Sequence, residues 1–188
     1  DFSVDVPDLI RIIRKRRPRM VCLANPNNPT GAYVNRDGLA RLLDQTPATT
    51  LFVLDEAYFE YANLAPDYPN GFQFLKRHPN LIVLRTFSKI YGLASLRVGF
   101  AAASPAVISE LHKVRPPFNV SALAQEAAIA ALGDPSHVRR CARRNAREIV
   151  RLAKALAALR FQVFPGPANF LLVGLHAVGG DGRIWFQK

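Results

Sequence analysis

The sequence predicts an α/β fold, and two observations predict it. Short apolar runs alternate with helical patterns along most of the 188 residues. Three of those runs end in polar clusters of the kind that bind ligands at the carboxyl edge of an open sheet.

The elements follow in order. Val6 to Arg16 reads as a helix, and Met20 to Ala24 as a buried strand because Met20-Val21-Cys22-Leu23 is apolar throughout. Arg36 to Leu43 reads as a helix with Asn35 as its cap. Leu51 to Leu54, Leu81 to Arg85 and Val98 to Ala103 read as strands. Pro105 opens a helix to about Lys113, since proline fits a first helical turn. Ser121 to Leu132 is helical until Gly133-Asp134-Pro135 breaks it. A long helix then runs from about Ser136 to Arg160, followed by short strands at Phe161 to Phe164 and Phe170 to Val173. The change of pattern at Gly133 predicts a first domain over 1–133 and a smaller one over 134–188.

Composition narrows the class. The length suffices for a real core, and no apolar stretch is long enough to span a bilayer. The start, Asp1-Phe2-Ser3-Val4-Asp5, has no signal-peptide pattern. Cys22 and Cys141 stand alone in a strand and a helix, which predicts a reducing, cytoplasmic setting. His78, His112, His137 and His176 are scattered without ligand spacing and read as surface or helix-end residues, so no metal site is expected. The net charge is +11, from 25 basic and 14 acidic residues. That density raises nucleic-acid binding as a rival function, but no recognition motif accompanies it. Arg139, Arg143, Arg147 and Arg151 instead recur at helical spacing. They lie opposite a stripe of Val138, Ala142, Asn145, Ile149, Leu152, Leu156 and Leu159, as on a helix with one solvated face.

The chemistry concentrates at three strand ends. Asn25-Pro26-Asn27-Asn28-Pro29-Thr30-Gly31 follows the first strand, and its prolines and glycine forbid regular structure. Such a segment is either an ordinary loop or a rigid turn presenting an amide inward. Asp55-Glu56-Ala57-Tyr58 ends the second strand; Asp55 there is a structural acid, a partner for a pyridinium nitrogen, or a metal ligand. Arg85-Thr86-Phe87-Ser88-Lys89-Ile90-Tyr91-Gly92-Leu93 ends the third, with Arg97 eight residues after the lysine. A lysine there can act as an amine nucleophile that forms a Schiff base, and adjacent hydroxyls and an arginine can hold a phosphate. Together the three ends describe a pocket for pyridoxal 5'-phosphate.

With these motifs the sequence resembles the fold type I, class I/II aminotransferases. Val114-Arg115-Pro116-Pro117-Phe118-Asn119-Val120-Ser121 and Pro167-Ala168-Asn169-Phe170-Leu171 also match in order, and the former narrows the resemblance to the histidinol-phosphate branch. The resemblance implies a mostly parallel large-domain sheet and the start of a small α+β domain. It implies that Lys89 carries the Schiff base and moves a proton between substrate Cα and the cofactor. Asp55 would hold the pyridine N–H, and Asn28 and Tyr58 the ring oxygen. Ala57 would pack under the ring, while Thr86, Ser88 and Arg97 would hold the phosphate. Ser95 departs from the family's glycine and implies a small local adjustment.

The resemblance further implies transfer of an amino group between L-histidinol phosphate and 2-oxoglutarate, in a homodimer, without nucleic-acid or membrane partners. Threonine-phosphate decarboxylases and aromatic aminotransferases share the cofactor motifs and remain alternatives. A non-catalytic basic nucleic-acid-binding protein is the alternative of another class. Family members extend further at both ends, and the sequence stops at Trp185-Phe186-Gln187-Lys188 inside the expected small domain. It is therefore read as an internal portion, inactive alone.

Overall fold

The computed structural model describes residues 2–179 and 182–183; the terminal Trp185 to Lys188 lie outside the described residues. Its main sheet has four strands in the order β1 (Met20–Ala24), β2 (Leu51–Asp55), β3 (Leu81–Thr86) and β4 (Gly99–Ala103). β1/β2 and β2/β3 are parallel, whereas β4 runs antiparallel to β3. α1 (Val6–Arg16) precedes β1, and the parallel crossovers pass through α2 (Arg36–Gln45) and a short α3 (Phe59–Ala62). The α1 helix starts at Asp5, whose carboxylate accepts from the Asp8 amide; Asn35 does the same for Gly38 at α2. Each cap satisfies an amide that the helix cannot.

The core lies on one face of this sheet. Val6 and Ile13 of α1, and Leu39, Leu42 and Leu43 of α2, pack on Leu23, Phe52, Leu54, Leu81 and Val83. The expectation of a fully buried first strand needs correcting. Met20 is 51% exposed and Cys22 is exposed, because β1 stands first in the strand order and only alternate residues turn toward α1 and α2. His78 also departs from the surface reading: it is 9% exposed, packed near Phe74, with Nε2 3.6 Å from Asp44.

α4 (Pro105–Val114), α5 (Ala122–Leu132) and α6 (Pro135–Ala158) follow β4, and a two-stranded antiparallel sheet, β5 (Gln162–Phe164) with β6 (Leu172–Gly174), follows α6. Ser121 and Asp134 cap α5 and α6. The inward stripe of α6 holds Val138, Ala142, Asn145, Ile149 and Leu156, but Leu152 and Leu159 fall outside it and are exposed. Asn145 Nδ2 donates to the Ala168 carbonyl at 3.1 Å, which ties α6 to the segment between β5 and β6. No helix among the described residues is long and apolar enough to cross a membrane.

Candidate active site

The three motifs sit after β1, β2 and β3, the parallel strands, so their residues share one sheet edge. The loop after β1 is held rigidly. Asn25 is fully buried, and its amide makes a two-way bridge to Val34: Nδ2 donates to Val34 O at 3.1 Å and Oδ1 accepts Val34 N at 2.7 Å. The hydroxyl of buried Tyr68 donates to the Asn25 carbonyl, and burial pushes that phenol well above its ordinary range. Asn27 Nδ2 donates to Thr30 Oγ1 at 2.8 Å, and the Asn25–Pro26 and Asn28–Pro29 bonds are cis. Gly31, at φ +73°, completes the turn.

This loop delivers Asn28, whose Nδ2 donates to the Tyr58 hydroxyl at 2.8 Å. Tyr58 is buried, with the Phe170 ring edge-on at 5.2 Å and Lys89 Nζ 5.2 Å from its ring centre. Asp55, half-buried, turns back to accept the Ala57 amide at 3.0 Å, fixing the start of the turn into Tyr58.

Lys89 and Arg97 lie on the excursion that joins β3 to β4. Because those strands are antiparallel, the chain returns to its starting point, and Thr86 faces Gly99. Thr86 Oγ1 accepts the Ser88 amide at 3.0 Å, and Arg97 Nη1 reaches Ser88 Oγ at 3.5 Å while donating to Ala94 O at 2.7 Å. Arg97 has a left-handed backbone, φ 52° and ψ 46°, uncommon for a side chain with a Cβ. Ser95 lies exposed in a short 3-10 turn over Ala94–Leu96 and takes no positive φ, so serine is accommodated there without strain. The structure thus joins Asn28, Tyr58 and Lys89 in one group and Thr86, Ser88 and Arg97 in another, linked by the Ser88–Lys89 peptide.

One pair escaped the sequence reading. Glu56 and Arg85 form a buried ion pair, with side chains 0% and 10% exposed. Arg85 Nε and Nη2 both donate to Glu56 Oε2, at 3.0 and 2.8 Å, and Glu56 Oε1 accepts the Gly71 amide at 2.8 Å. The guanidinium carbon lies 3.4 Å from the centre of Phe59 and 4.0 Å from that of Phe72. Burial pushes the Glu56 carboxyl up, and Arg85 with the Gly71 N–H pulls it back. The available signal was strand alternation: Asp55 and Glu56 must point to opposite faces, as must Arg85 and Thr86.

An open, mostly parallel sheet with this edge defines a fold type I aminotransferase. A crystal structure of histidinol-phosphate aminotransferase from Sinorhizobium meliloti, in complex with pyridoxal-5'-phosphate, superposes at a TM-score of 0.84 with 34% identity, covering 90% of this chain and 45% of that one. Residues 1–179 match the family model for aminotransferase class I and II, and the chain belongs to that family. Histidinol-phosphate aminotransferase of Anaeromyxobacter sp. (strain Fw109-5) is 47% identical over 186 residues, 99% of this chain and 50% of the relative. Histidinol-phosphate aminotransferase 2 of Pseudomonas aeruginosa is 50% identical over 162 residues, 86% of this chain and 44% of the relative. The chain spans about half the length of the relatives it matches.

Proposed function

We propose that this chain provides the cofactor site of a cytoplasmic, homodimeric, pyridoxal-phosphate-dependent aminotransferase acting on L-histidinol phosphate and 2-oxoglutarate. The observation that carries the reading is one sheet edge holding a lysine amine, a carboxylate, an amide–phenol pair and a hydroxyl–guanidinium cluster. That donor set fits a phosphorylated pyridine aldehyde group by group. The names of the relatives support the substrate. Val114, Phe118 and Leu123, at 78, 100 and 71% exposed, support a partner surface near α4 and α5.

Bound there, pyridoxal phosphate supplies an aldehyde to take the amino group and a ring that accepts the electron pair left at substrate Cα. The residues do the rest. Lys89 takes the proton from substrate Cα and returns one during transfer. Asp55 accepts a hydrogen bond from the protonated ring nitrogen and keeps that proton in place. Asn28 donates to the Tyr58 oxygen, which leaves the phenol's own hydrogen to donate to the ring oxygen. Ala57 leaves room for the ring face. Thr86, Ser88 and Arg97 hold the phosphate, for which a guanidinium fork is well shaped. Residues 1–133 would form the large-domain portion and 134–188 the start of the small domain.

The test is glutamate formation from L-histidinol phosphate and 2-oxoglutarate. It is run on the chain alone and on a chimaera in which the chain replaces the matching half of the Anaeromyxobacter relative. Activity in the chimaera that is lost on omitting histidinol phosphate supports the reading. A folded, cofactor-loaded chimaera that prefers aromatic amino acids or releases carbon dioxide overturns the substrate.

A further inference from the structure

The pairing of β2 with β3 stops at Asp55 opposite Leu84, with a last bond from Glu56 N to Leu84 O at 2.9 Å. Beyond that point β3 continues through Arg85 and Thr86, paired only on its other side with Phe100 and Gly99 of β4. The ladder therefore does not fix Thr86 relative to Asp55. The side-chain bridge from Arg85 to Glu56 spans this gap from the opposite face of the sheet. We propose that the Glu56–Arg85 pair positions the cofactor site by setting the spacing between Asp55 and Thr86. The inference rests on the reading above, in which those two residues meet opposite ends of one rigid cofactor.

The surroundings suit such a role. Asn70 Oδ1 accepts a third bond from Arg85, at 2.8 Å, and Gly71 holds the other Glu56 oxygen, so neither side chain can swing. Phe59 and Phe72 close on both sides of the guanidinium. Stability alone does not call for a buried ion pair, because apolar replacements of similar volume are often as stable. Directional bonds define a distance, which apolar packing does so only loosely. A Cβ added at Gly71 would meet Glu56 Oε1 at 3.0 Å and Leu54 Cδ2 at 2.8 Å, so the glycine itself lets the backbone approach the carboxylate.

The experiment separates positioning from folding. In the full chain, Arg85→Met strands a buried carboxylate and lowers the melting temperature. Glu56→Gln/Arg85→Met removes both charges and recovers part of the loss, since no charge is left buried and glutamine still accepts the Gly71 amide. Affinities are then measured by absorbance titration for pyridoxal phosphate and for pyridoxal, which lacks the phosphate. The double variant should bind pyridoxal as the wild type does but lose on the order of 10-fold in affinity for pyridoxal phosphate, the scale of one charge-assisted hydrogen bond. An affinity for pyridoxal phosphate unchanged from wild type, or equal losses for both ligands, overturns the inference. If the double variant does not fold, Arg85→Lys serves: it keeps the charge without the fork, and an unchanged preference for the phosphorylated ligand overturns the inference too. A wild-type chain with no such preference sinks the cofactor reading instead.

Discussion

Gly166 lies against Gly31 so closely that a Cβ on Gly166 would come within 2.6 Å of the Gly31 carbonyl oxygen and 2.7 Å of its Cα. The segment between β5 and β6 thus rests directly on the loop that delivers Asn28. Both obstructing atoms are backbone, so the clash cannot be relieved by a side-chain rotation.

Gly166→Ala should therefore cost about 1–3 kcal/mol, as overpacking does elsewhere. For a chain of this size that corresponds to a melting temperature lower by roughly 2–12 °C. An unchanged melting temperature would show that the two segments are not in contact in solution.

Lys89 should be the residue that borohydride ties to the cofactor. Peptide mapping after reduction of the chain with pyridoxal phosphate should find the pyridoxyl group on Lys89. Lys89→Ala should abolish trapping in the chain and transamination in the chimaera, while leaving weak reversible binding through Asp55 and the phosphate cluster. Label on another lysine, with Lys89 unmodified, removes it from the role.

Asp55→Asn should slow turnover of the chimaera more than it weakens cofactor binding. A buried charge-assisted bond contributes about 1.5–3 kcal/mol, so a loss of about 10- to 150-fold is expected. The amide keeps the shape and can still accept the Ala57 amide, which isolates the charge. Turnover equal to wild type would assign Asp55 a structural role.

His78 should make stability fall in acid. Burial lowers its pKa, outweighing the opposite pull of Asp44, and Arg77 adds to the lowering. The native state then favours the neutral ring, so the unfolded chain binds more protons between the two pKa values. The contribution is complete above about 6.5, the unperturbed value, and is lost as pH falls through the lowered one. The melting-temperature difference between wild type and His78→Gln should be constant from pH 7 to 9 and shrink below about 6.5. A difference that does not vary with pH contradicts this account.

The scaffold was legible where local pattern decides it. The run Leu51-Phe52-Val53-Leu54 can be little other than a strand in a covered sheet, and Asn35 announces a helix start. Lys89 and Arg97 stood out because few loops combine hydroxyls, an amine and a guanidinium. What stayed hidden depends on partners distant in sequence. The partner of Glu56 is Arg85, and nothing near either residue names the other. His78 is buried by α2 and the turn before β3, which a lone histidine does not reveal. The exposure of Met20 and Cys22 follows from strand order, to which hydropathy is blind. α3 is only four residues long, too short to show a helical period.

The reversal of β4 also bears on the order in which the chain can assemble. Thr86 meets Gly99 across a short excursion, whereas Met20 must find Leu51 and Phe52 must find Leu81 through much longer crossovers. Each doubling of a closed loop costs about 0.6 kcal/mol of chain entropy, and local pairings close soonest. Pulse-labelled amides of β3 and β4 should accordingly gain protection before those of β1. The stretch bearing the amine and the guanidinium is then the seed on which the parallel scaffold condenses.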